Sequence, residues 1–404
     1  MLPLNAKRRL PQRILGEVKA GRGITIGKAV IECSRLARET SAMLTDFETL
    51  ETPVPLVDLD RLQHNLDRMA GYAAEHGLAL RPHIKTHKSP MVAGEQILRG
   101  ATGLTCATIN EVEVMSEMSR DILLAYSPIG QARLQRLMRV SEPLRLSVML
   151  DSTEAIDGLA HAAERAERDI DVLVELDLGM HRVGVQHASD AVTLARQIEA
   201  SPRLRYAGIG FYPGNIRDHV SAQQPALTSL NEALGAAIGE LERVGLAPRV
   251  VSGGSTPTAF HSHLIPGLTE IRPGTYVFND RTTAEIGACD WHDCALTVLA
   301  TVVSTSVPNQ AVIDAGSKAL GREPFRGNSG GYGVIVGQPD VVVGAMSEEH
   351  GLLDLSGTSW RPAIGDLVRV IPNHACIVVH LNDKVVGVRG DAVMTRWQVA
   401  ARGR

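Results

Sequence analysis

Eight short β-rich runs lie between residues 78 and 274, separated by loops and longer segments, and this alternation leaves few folds open. The runs are 78–85 (LALRPHIK), 103–108 (GLTCAT), 121–126 (DILLAY), 144–150 (LRLSVML), 170–176 (IDVLVEL), 204–212 (LRYAGIGFY), 248–254 (PRVVSGG) and 268–274 (LTEIRPG). Segments 61–77, 109–119 and 224–245 carry apolar residues at helical spacing. Strands alternating with helical patterns predict a parallel sheet with crossover helices. Eight evenly spaced units favour closure into an α/β architecture of the TIM type, a (β/α)8 barrel, over an open doubly wound sheet.

After Cys289 the pattern changes. Runs 295–307, 311–316, 332–337, 367–372, 376–381 (CIVVHL) and 384–390 read as β, with turn residues between them and no long helices. They predict a C-terminal β-domain. The expected organisation is an N-terminal extension over 1–50, a barrel over 51–288 and a β-domain over 289–404. Within the extension, 26–44 has helical spacing, and packing against a partner subunit is its expected job. The run 54–60 (VPLVDLD) suits either the barrel or the second domain.

Composition narrows the function. With 404 residues, 44% of them hydrophobic, a large core can be buried. The net charge of −4 and only 3% aromatic residues argue against nucleic acid as a partner. No apolar run is long enough to span a bilayer. Cys33, Cys106, Cys289, Cys294 and Cys376 have no disulfide-like rhythm, and the basic N-terminus lacks the apolar centre of a signal peptide. A cytoplasmic protein is expected.

Barrel enzymes place their chemistry at the C-terminal ends of the strands. The first run ends in RPHIKTHKSP, where Lys85 stands beside Lys88 and two histidines. Like charge and burial can lower an amine's pKa and ready it for covalent chemistry, whereas a solvated basic loop would look the same. After the seventh run comes GGSTPT, and after the eighth RPGTY. Small residues with hydroxyls let backbone N–H groups approach a phosphate, and these two loops are its usual place in such barrels. Downstream, His374 and Cys376 are spaced i, i+2 beside a presumed β-run, so both can face one side. Imidazole plus thiolate is a half-site for an ion such as zinc. Cys289, His292 and Cys294 in CDWHDC also have ligand-like types, without a fourth donor nearby.

RPHIKTHK followed by TCATINEVEVM resembles the D-threonine aldolase and D-serine dehydratase family. DLGMHRVGV, GGSTPT, IRPGTYVF, IDAGSKAL and PNHAC extend the likeness, in order, from about Thr52 to the C-terminus. The resemblance implies a fold-type III enzyme with an alanine-racemase-type barrel, pyridoxal 5'-phosphate as cofactor and Lys85 as its Schiff-base lysine. It implies that Arg182 lies near the cofactor's phenolic oxygen and that Gly254, Ser255 and Thr256 form the phosphate loop, with Gly274 and Tyr276 in the second loop. Arg272 is then at the pyridine-nitrogen position, and Tyr212 is a ring contact or an ordinary core tyrosine. His374 and Cys376 are expected to hold a divalent metal, zinc or manganese. Many dehydratase-like relatives carry a histidine after the strand-six tyrosine. Here Pro213 follows Tyr212, and His219 comes later.

The resulting expectation is a lyase acting on 3-hydroxy-D-amino acids, of the D-serine, D-threonine or 3-hydroxy-D-aspartate type, by dehydration and deamination. The alternative is aldol cleavage to glycine and an aldehyde. An amino-acid racemase would use the same cofactor site without a metal, and a non-catalytic pyridoxal-phosphate carrier would need no β-domain. A homodimer in which one subunit's β-domain closes the other's barrel mouth follows from the likeness to alanine racemases.

Overall fold

A computed structural model describes residues 45–403, apart from 47, 48, 142 and 326–329. The helical spacing over 26–44 lies outside the described residues. The chain opens with β1 (Thr45–Asp46) and β2 (Val54–Asp58). Asp58 then caps α1 (Leu59–Glu75), its carboxylate accepting from the N–H groups of Asp60 and Arg61. Leu62, Leu66, Met69 and Ala73 recur along α1 at spacings of three and four and are buried together.

Each of the eight expected runs contains a barrel strand. These are β3 (Ala79–Leu80), β4 (Leu104–Cys106), β5 (Asp121–Leu124), β6 (Arg145–Leu150), β7 (Ile170–Leu176), β8 (Leu204–Phe211), β9 (Val250–Gly253) and β10 (Glu270–Ile271). All neighbours pair in parallel, and β10 returns to β3 through Glu270–Ala79 and Ile271–Leu80. The ring closes where the Thr105 N–H donates to the Pro82 carbonyl at 2.9 Å and His83 bridges Thr105. Every residue of β7 is buried, the continuous apolar run that a parallel strand covered on both faces requires. Helices α2 (Pro90–Leu98), α3 (Ile109–Met115), α4 (Gln131–Met138), α5 (Thr153–Arg165), α6 (Ala188–Ala200) and α7 (Gln224–Arg243) make the crossovers up to β9. After β10 the short helix α8 (Arg281–Glu285) leads out of the barrel.

The second sheet holds β11 (Leu296–Ser304), β12 (Gln310–Ile313), β13 (Gly333–Ile335), β14 (Gln338–Met346), β15 (Gly351–Asp354), β16 (Leu367–Pro372), β17 (Lys384–Arg389) and β18 (Ala392–Gln398). Six of these form a closed antiparallel ring, because β16 pairs back to β11. The run at 54–60 resolves here: β2 lies between β11 and β17 and takes no part in the barrel sheet. The short helix α9 (Ser317–Leu320) follows β12.

One expected strand is a helix. CIVVHL falls within α10 (Ala375–Leu381), where Ala375, Val378 and Val379 are buried. Those positions share one helical face, so packing outweighs the strand preference of the β-branched residues. A short apolar run cannot be assigned by periodicity alone. No described helix is long and apolar enough to cross a membrane.

Candidate active site

The turn after β3 is the centre of the site. Ile84–Thr86 form a single 3-10 turn, capped by His83, whose Nδ1 accepts from the Lys85 N–H. Four lysines lie among the described residues. Lys88 is buried against Glu111, Lys318 pairs with Glu349 on the surface, and Lys384 opens β17 on its exposed side. Among the described residues, Lys85 has no carboxylate partner. Its Nζ lies 5.2 Å from the centroid of the Tyr212 ring, and the Arg182 guanidinium lies 5.2 Å from the same centroid. Tyr212 follows β8 and is half-buried. A Cβ at Gly214 would lie 2.2 Å from this ring, so the glycine makes room for it. Burial, with the Lys85 and Arg272 cations close by, pushes the His83 imidazole well below its ordinary range. A neutral imidazole therefore stands beside the amine.

Arg182 is carried on the loop after β7. Asp177 gathers that loop by accepting from the N–H groups of Gly179 at 3.0 Å and His181 at 2.9 Å. Gly184 (φ +103°) donates to Asp151 Oδ2, and a Cβ there would meet the Asp177 amide at 2.5 Å, so only glycine fits. Glu175, near the end of β7, is buried. Desolvation raises its carboxyl pKa against the opposing pull of Arg272.

The loops after β9 and β10 meet through one bond, the Tyr276 N–H to Thr256 Oγ1 at 3.1 Å. Ser255 and Thr258 share a hydroxyl contact of 3.1 Å. Among the described residues, the backbone N–H groups of Gly254, Ser255, Thr256, Gly274 and Thr275 have no protein acceptor. Gly254 takes φ +91°. A Cβ at Gly274 would lie 3.0 Å from Thr86 Oγ1, beside the lysine turn. A set of open amides on two adjoining glycine-containing loops suits a phosphate group. The Tyr276 hydroxyl is turned away from these amides and accepts from Gln96 Nε2 at 3.0 Å. Arg272 is buried, donating to the Phe211 carbonyl at 2.6 Å and lying 2.7 Å from Met149 Sδ, and its Nε has no partner among the described residues. A buried N–H donor directly after β10, two positions before Gly274, fits a ligand carrying an acceptor.

The His-x-Cys pair reaches the same turn from the second domain. His374 stands at the N-cap position of α10, and Cys376 Sγ lies 3.2 Å from Thr86 Oγ1, next to Lys85. His374 Nδ1 lies 3.0 Å from Asp280 Oδ2, which also accepts from the Ala375 N–H at 3.1 Å. This bond occupies Nδ1 and leaves Nε2 for an ion or a proton. The Cys376 sulfur raises the His374 imidazole well above its usual range, against the cost of burial. Burial raises the Cys376 thiol, but His374, the Thr86 hydroxyl and Lys85 together outweigh it, and its pKa falls below the ordinary value. A thiol of lowered pKa beside an oriented imidazole is a donor set for a borderline-soft divalent ion.

Residues 57–282 match the model of the alanine racemase N-terminal domain, and residues 295–388 match that of a putative serine dehydratase domain. D-threonine aldolase of Arthrobacter sp. is 31% identical over 362 residues, which cover 88% of this chain and 93% of that protein. The chain belongs to the D-threonine aldolase and D-serine dehydratase family. D-threo-3-hydroxyaspartate dehydratase of Delftia sp. (strain HT23) is 33% identical over 372 residues, 87% of this chain and 97% of that one. A structure of D-threo-3-hydroxyaspartate dehydratase, a cysteine-to-alanine mutant in the metal-free form, superimposes with a TM-score of 0.82 at 31% identity, covering 89% of this chain and 100% of that chain. Family members are thus named for both cleavage and dehydration.

Within this family frame, sequence reasoning passed over Asp280. Its carboxylate is buried, caps α8 through the Thr283 N–H and holds His374 from 94 positions away. The NDRTT segment shows a capping pattern, but nothing local points to His374. Thr86 lies within RPHIKTHKSP, where the sequence gives it no role of its own. His219 faces elsewhere than the ring: its Nδ1 bonds the Ser221 hydroxyl at 2.8 Å, and its Nε2 would lie 2.9 Å from a Cβ at Gly287. Cys289 and Cys294 are buried, with their sulfurs 3.6 Å from Thr283 Oγ1 and the Asp280 carbonyl. His350 lies in the exposed turn between β14 and β15.

Proposed function

We propose that the protein is a lyase for 3-hydroxy-D-amino acids, acting by dehydration and deamination. Lys85 is its cofactor lysine, and His374 and Cys376 hold a divalent ion, zinc or manganese. The observation that carries this reading is the meeting of two half-sites on one turn, with Lys85 adjacent to Thr86 and Thr86 touching Cys376. Bound pyridoxal phosphate supplies an electron sink next to the bonds at the substrate's Cα, and a bound divalent ion supplies Lewis acidity for a β-hydroxyl.

The protein's own groups divide the remaining work. Gly254, Ser255, Thr256, Gly274 and Thr275 offer backbone N–H groups to the phosphate, with the Tyr276 amide tying the loops together. Arg272, directly after β10, offers its Nε, and Tyr212 provides a flat apolar face with Arg182 above it. Lys85 anchors the cofactor and carries a proton at Nζ. His374 and Cys376 orient the hydroxyl end of the substrate. A racemase would have no use for this second half-site, and neither would a carrier protein.

Dehydration and cleavage share all of these residues. Cys376 favours dehydration, since the relative whose cysteine mutant was solved metal-free is a dehydratase, and a second mutant of that enzyme changes a histidine two positions before the cysteine. Pro213 favours cleavage, because it removes the dehydratase-like histidine and His219 does not replace it. We place the enzyme in the cytoplasm as a homodimer. Tyr126, Ile129 and Val183 leave large apolar surface exposed on the loops after β5 and β7, and a second copy's β-domain would cover it. The test is incubation of enzyme loaded with pyridoxal phosphate and zinc with D-serine, D-threonine and 3-hydroxy-D-aspartate. Release of ammonia and a 2-oxo acid supports the reading. Turnover of L-enantiomers only, or the mirror-image amino acid as sole product, overturns it.

A further inference from the structure

The turn Trp291–Asp293 lies where the chain leaves the barrel for β11, and it is fastened to α1. Asn65 Nδ2 donates to the Asp293 carbonyl at 2.8 Å. Asp293 Oδ2 accepts from Arg68 at 3.1 Å and from the Asp290 N–H at 3.0 Å. The Asp293 side chain is only 1% exposed, and its other oxygen, Oδ1, is buried and accepts no hydrogen bond from the described residues. Leaving a buried carboxylate oxygen without a donor is costly unless a cation faces it.

Two imidazoles point at that oxygen. His292 Nε2 lies 3.2 Å away, and His64 Nε2, from α1, lies 3.6 Å away. Donor atoms of Asp290, His292 and Asp293 all lie within 4.8 Å of one another. Bonds of about 2.0–2.2 Å around a tetrahedral zinc ion put neighbouring ligand atoms roughly 3.3–3.5 Å apart. The two measured N···O separations bracket that edge. Both approaches are within ion-pair range of the carboxylate, and neither has hydrogen-bond geometry.

We propose that Asp290, His292 and Asp293 form a second divalent-metal site, independent of His374 and Cys376, which the exposed imidazole of His64 turns in to complete as the fourth donor. The ligand-like segment CDWHDC thus acts through its two aspartates and its histidine, while its cysteines point inward. Four protein donors leave no open position, so the role is structural, clamping α1 to the segment that joins the two domains.

The test is zinc binding by equilibrium dialysis on the full chain loaded with pyridoxal phosphate, comparing wild type, Cys376→Ala, His292→Ala and Cys376→Ala combined with His292→Ala. Cys376→Ala is expected to retain one zinc with a zinc-dependent rise in melting temperature. Adding His292→Ala should weaken that zinc at least about tenfold and abolish the rise. His292→Ala alone should keep the activity of the wild type. If Cys376→Ala binds no zinc at micromolar concentration, or the double variant binds it as tightly, the second site does not exist. Loss of activity in Cys376→Ala tests the first site separately.

Discussion

At the residue scale the account turns on Lys85. Lys88 and Lys318 are both held by glutamates, so borohydride reduction of the yellow enzyme should fix the pyridoxyl group on the peptide containing Lys85. Lys85→Ala should lower turnover by roughly 10³-fold or more. Label on Lys88 or Lys318 in peptide mapping would contradict the assignment. His87 makes a second residue-scale prediction. Burial lowers its pKa to about 3, against the raising effect of its bonds to Gln96 and the Ser89 amide. Its folded pKa lies below the unfolded value, so its contribution to stability is complete above about pH 6.5 and is lost as pH falls towards 3. In that window it costs up to about 1.4 kcal/mol per pH unit. Thermal melts across this range should show a shallower acid slope for His87→Gln than for wild type.

At the element scale, Asp280 links α8 to α10. One carboxylate oxygen caps the first helix, and the other holds His374 and the first N–H of the second. Asp280→Asn keeps an oxygen for the cap but loses an acceptor towards His374. It should cost about 1–3 kcal/mol of stability and weaken zinc at His374 and Cys376 by roughly 10–100-fold in a chelator competition. Unchanged zinc affinity would show that Asp280 is only a cap. How much of this was legible follows from where the information lies. The barrel strands were readable because buried parallel strands are continuous apolar runs between turns, as in 170–176. The candidate loops were readable because each is a contiguous motif. CIVVHL was misread because a continuous apolar run this short shows no period in the sequence, and only the burial of Ala375, Val378 and Val379 reveals the helical one. Asp280 was missed because its bond to His374 joins residues far apart in sequence, and no local pattern encodes it.

At the scale of the whole molecule, the barrel supplies the amine and the open amides, and the β-domain supplies the imidazole and thiol. The exposed apolar side chains at the mouth lead us to expect a dimer at assay concentration in sedimentation. Charge placed on them by Ile129→Asp with Val183→Asp should yield monomers of reduced activity; a fully active wild-type monomer would contradict that arrangement. The central claim is the reaction, and D-threonine tests it most directly, because its two possible fates share no product. With enzyme loaded with pyridoxal phosphate and zinc, we predict 2-oxobutanoate and ammonia in equal amounts, without glycine. Glycine and acetaldehyde without ammonia would contradict dehydration and place the enzyme with the aldolases of its family.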